Sequence, residues 1–349
     1  MDIALFHFPF HAMCWSIFTD GQMHSYNMHL SIPVALLFFE FSRTALSTSI
    51  AGLVLLVVGS IEAKADVERV SGIEKVVVLS NLCFAAPLGV FAAEHFSAAQ
   101  GISRFVPKFM PWPLFWTYLV GAALLAASLS IATKRQVFWS GLMFGVMMFL
   151  FVAMMDLPGT LGDIHNRISW TLMFRELSFG AGGWMLAAAT LDAQHARGRS
   201  VLVTIGRVVI GVTAVFYGVE HFFFPINAPG VPLEKLMPLW IPVRPLISYV
   251  TGAILVVAGA GILLTKKVRM AAAYLGAWIL LLVVCIYGPI LIVSLLDPST
   301  AVKVEGINYF FDTLLYAGTV LALASAAQSS LPGSSQGLKP RLEECSTRR

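Results

Sequence analysis

Charge is what this sequence has least of. Only 12% of its residues are Asp, Glu, Lys or Arg, while 58% are hydrophobic and the mean hydropathy is +0.80. A soluble fold of 349 residues could not cover its surface with so few polar side chains. Cysteine is scarce too: Cys14, Cys83, Cys285 and Cys345 are scattered, with no Cys-X-X-Cys pair, which argues against a disulfide framework or a dithiol redox centre. No basic stretch interleaved with aromatics occurs, so nucleic acid is not an expected partner. No haem axial pair, iron–sulfur spacing or nucleotide loop is present. The glycines of Phe179-Gly180-Ala181-Gly182-Gly183 sit inside an apolar run with no strand before it, where they serve close helix packing.

Long apolar runs are what the chain has in abundance. Nine spans are predicted, over residues 46–61, 76–93, 113–132, 137–155, 169–190, 202–219, 246–264, 270–293 and 307–326. The expected fold is all-α, a polytopic membrane helix bundle. Connections after the odd-numbered spans hold Lys64, Arg69, Lys75, Lys134, Arg135, Arg197, Arg199, Lys266, Lys267 and Arg269; the others hold only Arg104, Lys108, Arg167, Lys235, Arg244 and Lys303. The positive-inside rule then puts the N-terminus outside and the C-terminus in the cytoplasm of a cell with an inner (plasma) membrane. Span one, residues 46–62, is flanked like a signal peptide by Arg43 and Ala63-Lys64-Ala65, but its cleavage would invert every later span, so an uncleaved leading helix is expected. Residues 1–45 read as a poorly ordered or interfacial leader, because their apolar run from Ile32 to Phe39 stops well short of the roughly 20 residues a span needs. His7, His11 and Cys14 lie there without a full ligand set, so no metal is expected. Residues 328–349 read as a disordered cytoplasmic tail.

The chain repeats itself. Glu94-His95-Phe96 is answered by Glu220-His221-Phe222, Tyr118 and Gly121 by Tyr249 and Gly252, Pro158 by Pro289, and Phe174-Arg175-Glu176 by Phe310-Phe311-Asp312. This predicts two four-helix units, 76–192 and 202–327, related by a pseudo-twofold axis along the membrane normal, since an even number of spans leaves both copies in one orientation. Asp156 and Arg175 break the pattern together, facing Tyr287 and Phe311 in the other copy. An acid and a base that appear and vanish as a pair predict a structural ion pair, with Glu176 pointing elsewhere from the next helical position.

Glu94, His95 and Glu176 in one unit, and Glu220, His221 and Asp312 in the other, predict two outward-facing cups, each with two carboxylates and an imidazole. Trp112, Trp116 and Trp240 would form their aromatic rim. Ionisable groups at membrane depth mark a site or pathway, although polar groups also tie helices together for about 0.6–2 kcal/mol each. A histidine beside carboxylates can donate to a quinone carbonyl and exchange protons. The expected binding and proton-exchange groups are therefore these six. Three functions fit them: a quinone-linked redox component or membrane anchor of an oxidoreductase complex, a small-molecule or proton-coupled carrier, and a non-catalytic scaffold or chaperone.

The run Gly218 to Phe222, then Met237 to Pro242, Tyr249-Val250-Thr251-Gly252, Lys266-Lys267 and Ala271-Ala272-Ala273 resembles the DoxX-like family of four-helix membrane proteins. The likeness covers residues 76–327 as two tandem copies. It implies an up-and-down four-helix unit and, for some relatives, association with thiosulfate:quinone oxidoreductases or other membrane oxidoreductase complexes. That in turn implies an oxidoreductase partner subunit and quinone as the cofactor. The positions it carries over are Glu94/His95 and Glu220/His221.

Overall fold

The computed structural model describes residues 42–328. The leader with His7, His11 and Cys14, and the tail from residue 329, lie outside the described residues. Among the described residues nine long helices follow one another: α1 (Arg43–Arg69), α2 (Glu74–Ser97), α3 (Pro113–Ala132), α4 (Val137–Gly162), α5 (Arg167–Ala189), α6 (Ala196–Phe223), α7 (Arg244–Leu264), α8 (Val268–Leu296) and α9 (Thr300–Gln328). All except α5 are long and apolar enough to cross a membrane. α5 carries Arg167, Arg175 and Glu176, and none of its residues is exposed, so its polarity is hidden inside the bundle. The outer faces are apolar: Leu53 and Val257 are 65% and 72% exposed, which only lipid makes tolerable along whole helices. The protein is an integral, multi-pass, all-α membrane protein whose helices contact the bilayer.

Four helices make the centre. α9 packs on both α2 and α5, and α6 packs on α5; α1 and α3 lie outside α2, α4 outside α5, α7 outside α6, and α8 outside α9. Small residues permit this closeness: a methyl at Gly183 of α5 would meet the Gly141 carbonyl of α4, and one at Gly218 of α6 would meet the Gly252 carbonyl of α7. Hydroxyls add cross-ties, as where Ser128 of α3 donates to the Ala85 carbonyl of α2 at 2.7 Å.

Three local features recur at matching places. Trp112 and Val243 each take a left-handed conformation (φ +53° and +46°) immediately before α3 and α7, both of which open on a proline in the first turn. α4 and α8 each pass through one π-helical turn, Val152–Asp156 and Val283–Tyr287. Pro158 and Pro289 explain the turns: each lacks an N–H and crowds the carbonyl four residues back, at Met154 and Cys285, so the ladder there widens. α5 is started by Asn166, whose side-chain oxygen accepts from the amides of Ile168 and Ser169 at 3.0 and 3.3 Å.

Candidate functional site

α2 ends in the first Glu-His-Phe motif, the π turn of α4 swings Asp156 inward, α5 contributes Arg175 and Glu176, and α9 contributes Asn308 and Asp312. These side chains, Phe96 excepted, line a cavity of about 290 Å³. Much of the rest of its wall is apolar and soft, with Phe91, Phe144, Phe151, Met147, Met148 and Leu124 prominent. Glu94 Oε1 accepts from Asn308 Nδ2 at 3.2 Å, which ties the end of α2 to α9. His95 Nδ1 lies 2.7 Å from the Phe91 carbonyl one turn back. A carbonyl can only accept, so Nδ1 carries the proton.

Arg175 corrects two expectations. Its Nη1 reaches Asp312 Oδ2 and its Nη2 reaches Glu176 Oε1, both at 2.7 Å, and all three side chains are nearly buried. Asp156 is not an ion-pair partner of Arg175. α5 packs directly on α9, and a forked guanidinium takes the two carboxylates that this interface presents. Asp156, on the π turn of α4, faces the same cavity without a salt bridge. Glu176 turns back to its neighbour because both chains are long enough to curl across the adjacent position. Glu176 and Asp312, the corresponding acids of the two copies, thus share one cation instead of serving separate cups.

The second Glu-His-Phe motif is built the same way and closed. His221 Nδ1 donates to the Tyr217 carbonyl at 2.6 Å, while its Nε2 accepts from the Gly230 amide at 2.9 Å. Glu220 accepts from Arg167 Nη1 at 3.2 Å and from the Thr171 hydroxyl at 2.8 Å. Arg167 also donates to the Pro232 carbonyl and lies over the Phe224 ring. The connection between α6 and α7 fills the hollow, with residues 227–233 all buried. Tyr287, the counterpart of Asp156, donates to the Pro229 carbonyl at 2.9 Å and fastens this plug. Gly230 permits the turn, with φ +114°, a conformation closed to side-chain-bearing residues.

The tryptophans stand apart from the cavity. Trp112 and Trp240 are exposed, Trp116 donates to the Pro111 carbonyl, and none of the three lines the cavity. Its aromatic wall is made of phenylalanines from α2, α4 and α5 instead. Asn308, Tyr309 and Glu305 of α9 also line it and were not predicted. Asn308 had a signal, since a polar residue stands there where the first copy has Leu172. The phenylalanines and methionines had none, because each is equally suited to facing lipid. Among the described residues no three His, Cys, Asp or Glu side chains are grouped to hold a metal ion. Comparison with family models, with curated proteins and with solved structures found no match to this chain.

Proposed function

We propose that the cavity is the ligand site of a quinone-linked membrane redox component, and that the chain consists of two DoxX-like four-helix units, 76–192 and 202–327, behind a leading helix. The paired π turns, the left-handed residues before α3 and α7, and the matching His Nδ1 bonds support the two-unit division. The basic residues on alternate connections support an inner-membrane orientation with the C-terminus in the cytoplasm.

The single observation that carries the reading is the cavity itself: an apolar, aromatic-walled space holding one imidazole and several carboxylates within a membrane bundle. Such a wall suits a flat lipophilic ring with polar oxygens, and the ionisable groups suit proton exchange at those oxygens. The test is mass spectrometry of lipid extracts from gently purified protein. Quinone should accompany the wild type and be lost from Leu124→Trp, which fills the cavity. Extracts free of quinone, or equal in both, would defeat the proposal.

A second reading draws on one further observation. Glu94, Asp156, Glu176 and Asp312 surround the cavity against the single guanidinium of Arg175. That excess of acid suits a carrier of protons or of a small cation. Reconstituted vesicles would then show pH-coupled flux that Asp156→Asn reduces; flux equal to that of empty vesicles would dismiss it.

A further inference from the structure

We infer that the cavity selects a ligand bearing a hydrogen-bond donor at His95 Nε2, so that in the quinone series it takes the hydroquinone in preference to the quinone. The inference rests on the cavity being a ligand site, and goes beyond that reading by naming the form of ligand it holds.

The argument begins with the imidazole. Nδ1 of His95 is committed as a donor to the Phe91 carbonyl, so the neutral ring has a bare lone pair at Nε2. His95 lines the cavity, and Nε2 is the polar atom it has left to offer there. The second copy shows what such an atom accepts. His221, held by the same bond to the carbonyl four residues back, receives the Gly230 amide N–H on its Nε2 at 2.9 Å. In that copy the chain's own peptide supplies the donor from inside a plugged hollow. In the first copy His95 faces the cavity, where a bound molecule can supply it.

Most of the other ionisable groups in the wall are acids. Each terminal nitrogen of Arg175 gives one N–H to Asp312 or Glu176 and keeps a second. Arg175 Nε is unpartnered but has no exposed surface from which to reach a ligand. Asn308 gives one of its two amide N–H groups to Glu94. Glu94 and Asp156 are acceptors when ionised. The remaining hydroxyl in the wall is Tyr309, which already accepts from the Lys235 amide and so has its own proton to give. The Nε2 lone pair and the carboxylates suit a molecule whose oxygens carry protons, and the Tyr309 hydroxyl suits one whose oxygens can also accept. A quinone carbonyl set against the Nε2 lone pair would leave two acceptors facing each other.

The test uses the purified full chain and three probes of one shape: a short-alkyl hydroquinone kept reduced under argon, its quinone, and its dimethyl ether, which has the oxygens without the donors. The wild type should bind the hydroquinone about tenfold more tightly than either other probe, the value of one well-placed hydrogen bond. His95→Ala should bring all three to within about twofold of one another, while His221→Ala should keep the tenfold preference, because its Nε2 faces the plug. Equal or tighter binding of the quinone by the wild type would mean that another group of the wall donates to its carbonyl, and would overturn this inference while leaving the ligand site standing. Failure of all three probes to bind the wild type would remove the site, and the inference with it. The wild-type comparison needs no variant, so a misfolded His95→Ala protein would not rescue the idea.

Discussion

The two Glu-His-Phe motifs begin from the same chemistry and end in different states. In both, the imidazole Nδ1 donates to the carbonyl four residues back, at 2.7 Å for His95 and 2.6 Å for His221. Beyond that atom they part. His95 opens on a cavity, whereas His221 holds the backbone of Gly230, and the buried segment 227–233 occupies its hollow. The connection decides which. The second is five residues longer, as the numbering of the matched pairs Glu94/Glu220 and Tyr118/Tyr249 shows, and it folds inward. The first runs through a short helix, Ala99–Ile102, and a 3-10 turn, Ser103–Phe105, and supplies only Ile102 and Phe105 to the cavity wall. One motif thus borders a cavity, and the chain's own connection packs against the other. The second connection even contributes to the first site, since Leu233 lines the cavity and Lys235 pairs with Glu305 at 2.9 Å.

This contrast can be broken or sharpened by substitution. The largest effect is expected at the centre that both copies share: Arg175→Leu strands Glu176 and Asp312 as unpaired buried acids and should cost about 3–5 kcal/mol. Thermal melting in detergent would show it, and adding Glu176→Leu and Asp312→Leu should restore most of the loss. Next come the histidines. His221→Ala removes a bond that fastens the plug and should cost about 2 kcal/mol, while His95→Ala should cost less than half of that. Equal shifts in Tm would contradict this difference between the two histidines.

Gly230→Ala should cost about 1–2 kcal/mol through its positive φ, whereas Gly101→Ala in the first connection, with ordinary φ and open space around it, should be neutral. The smallest contrast lies at the π turns. Tyr287→Phe loses the bond to the Pro229 carbonyl and should cost about 1 kcal/mol. Asp156→Asn, at the matching place, breaks no ion pair and should stay within about 0.5 kcal/mol. A large destabilisation from Asp156→Asn would restore a structural role to that carboxylate.

Helices were the most legible part of this protein in its sequence. Each predicted span overlaps a helix, because a backbone that meets lipid must satisfy its own hydrogen bonds and an apolar run of sufficient length has little alternative. α5 shows where apolarity stops being a guide: it is too polar to qualify by composition, and it is covered on every side by neighbours. A handful of polar and glycine identities suggested a repeat. It also suggested a symmetry of function that the side chains do not follow. Glu176 and Asp312 were placed in separate cups, and they meet on one guanidinium. Arg175 was paired with Asp156 by co-occurrence, a rule that says two residues belong to one neighbourhood without saying which atoms touch. The tryptophan rim was inferred from interface preference and lies away from the cavity.

By itself the sequence determined that this chain lives in a bilayer, that it is helical, and which few ionisable groups its apolar spans must accommodate. Those are matters of composition and period, and they act along the chain. Tertiary structure decided which acid met the arginine, which histidine kept a free lone pair, and which hollow stayed open. Such outcomes depend on distances of a few ångströms between helices far apart in sequence, and on whether a connection five residues longer turns inward or lies flat.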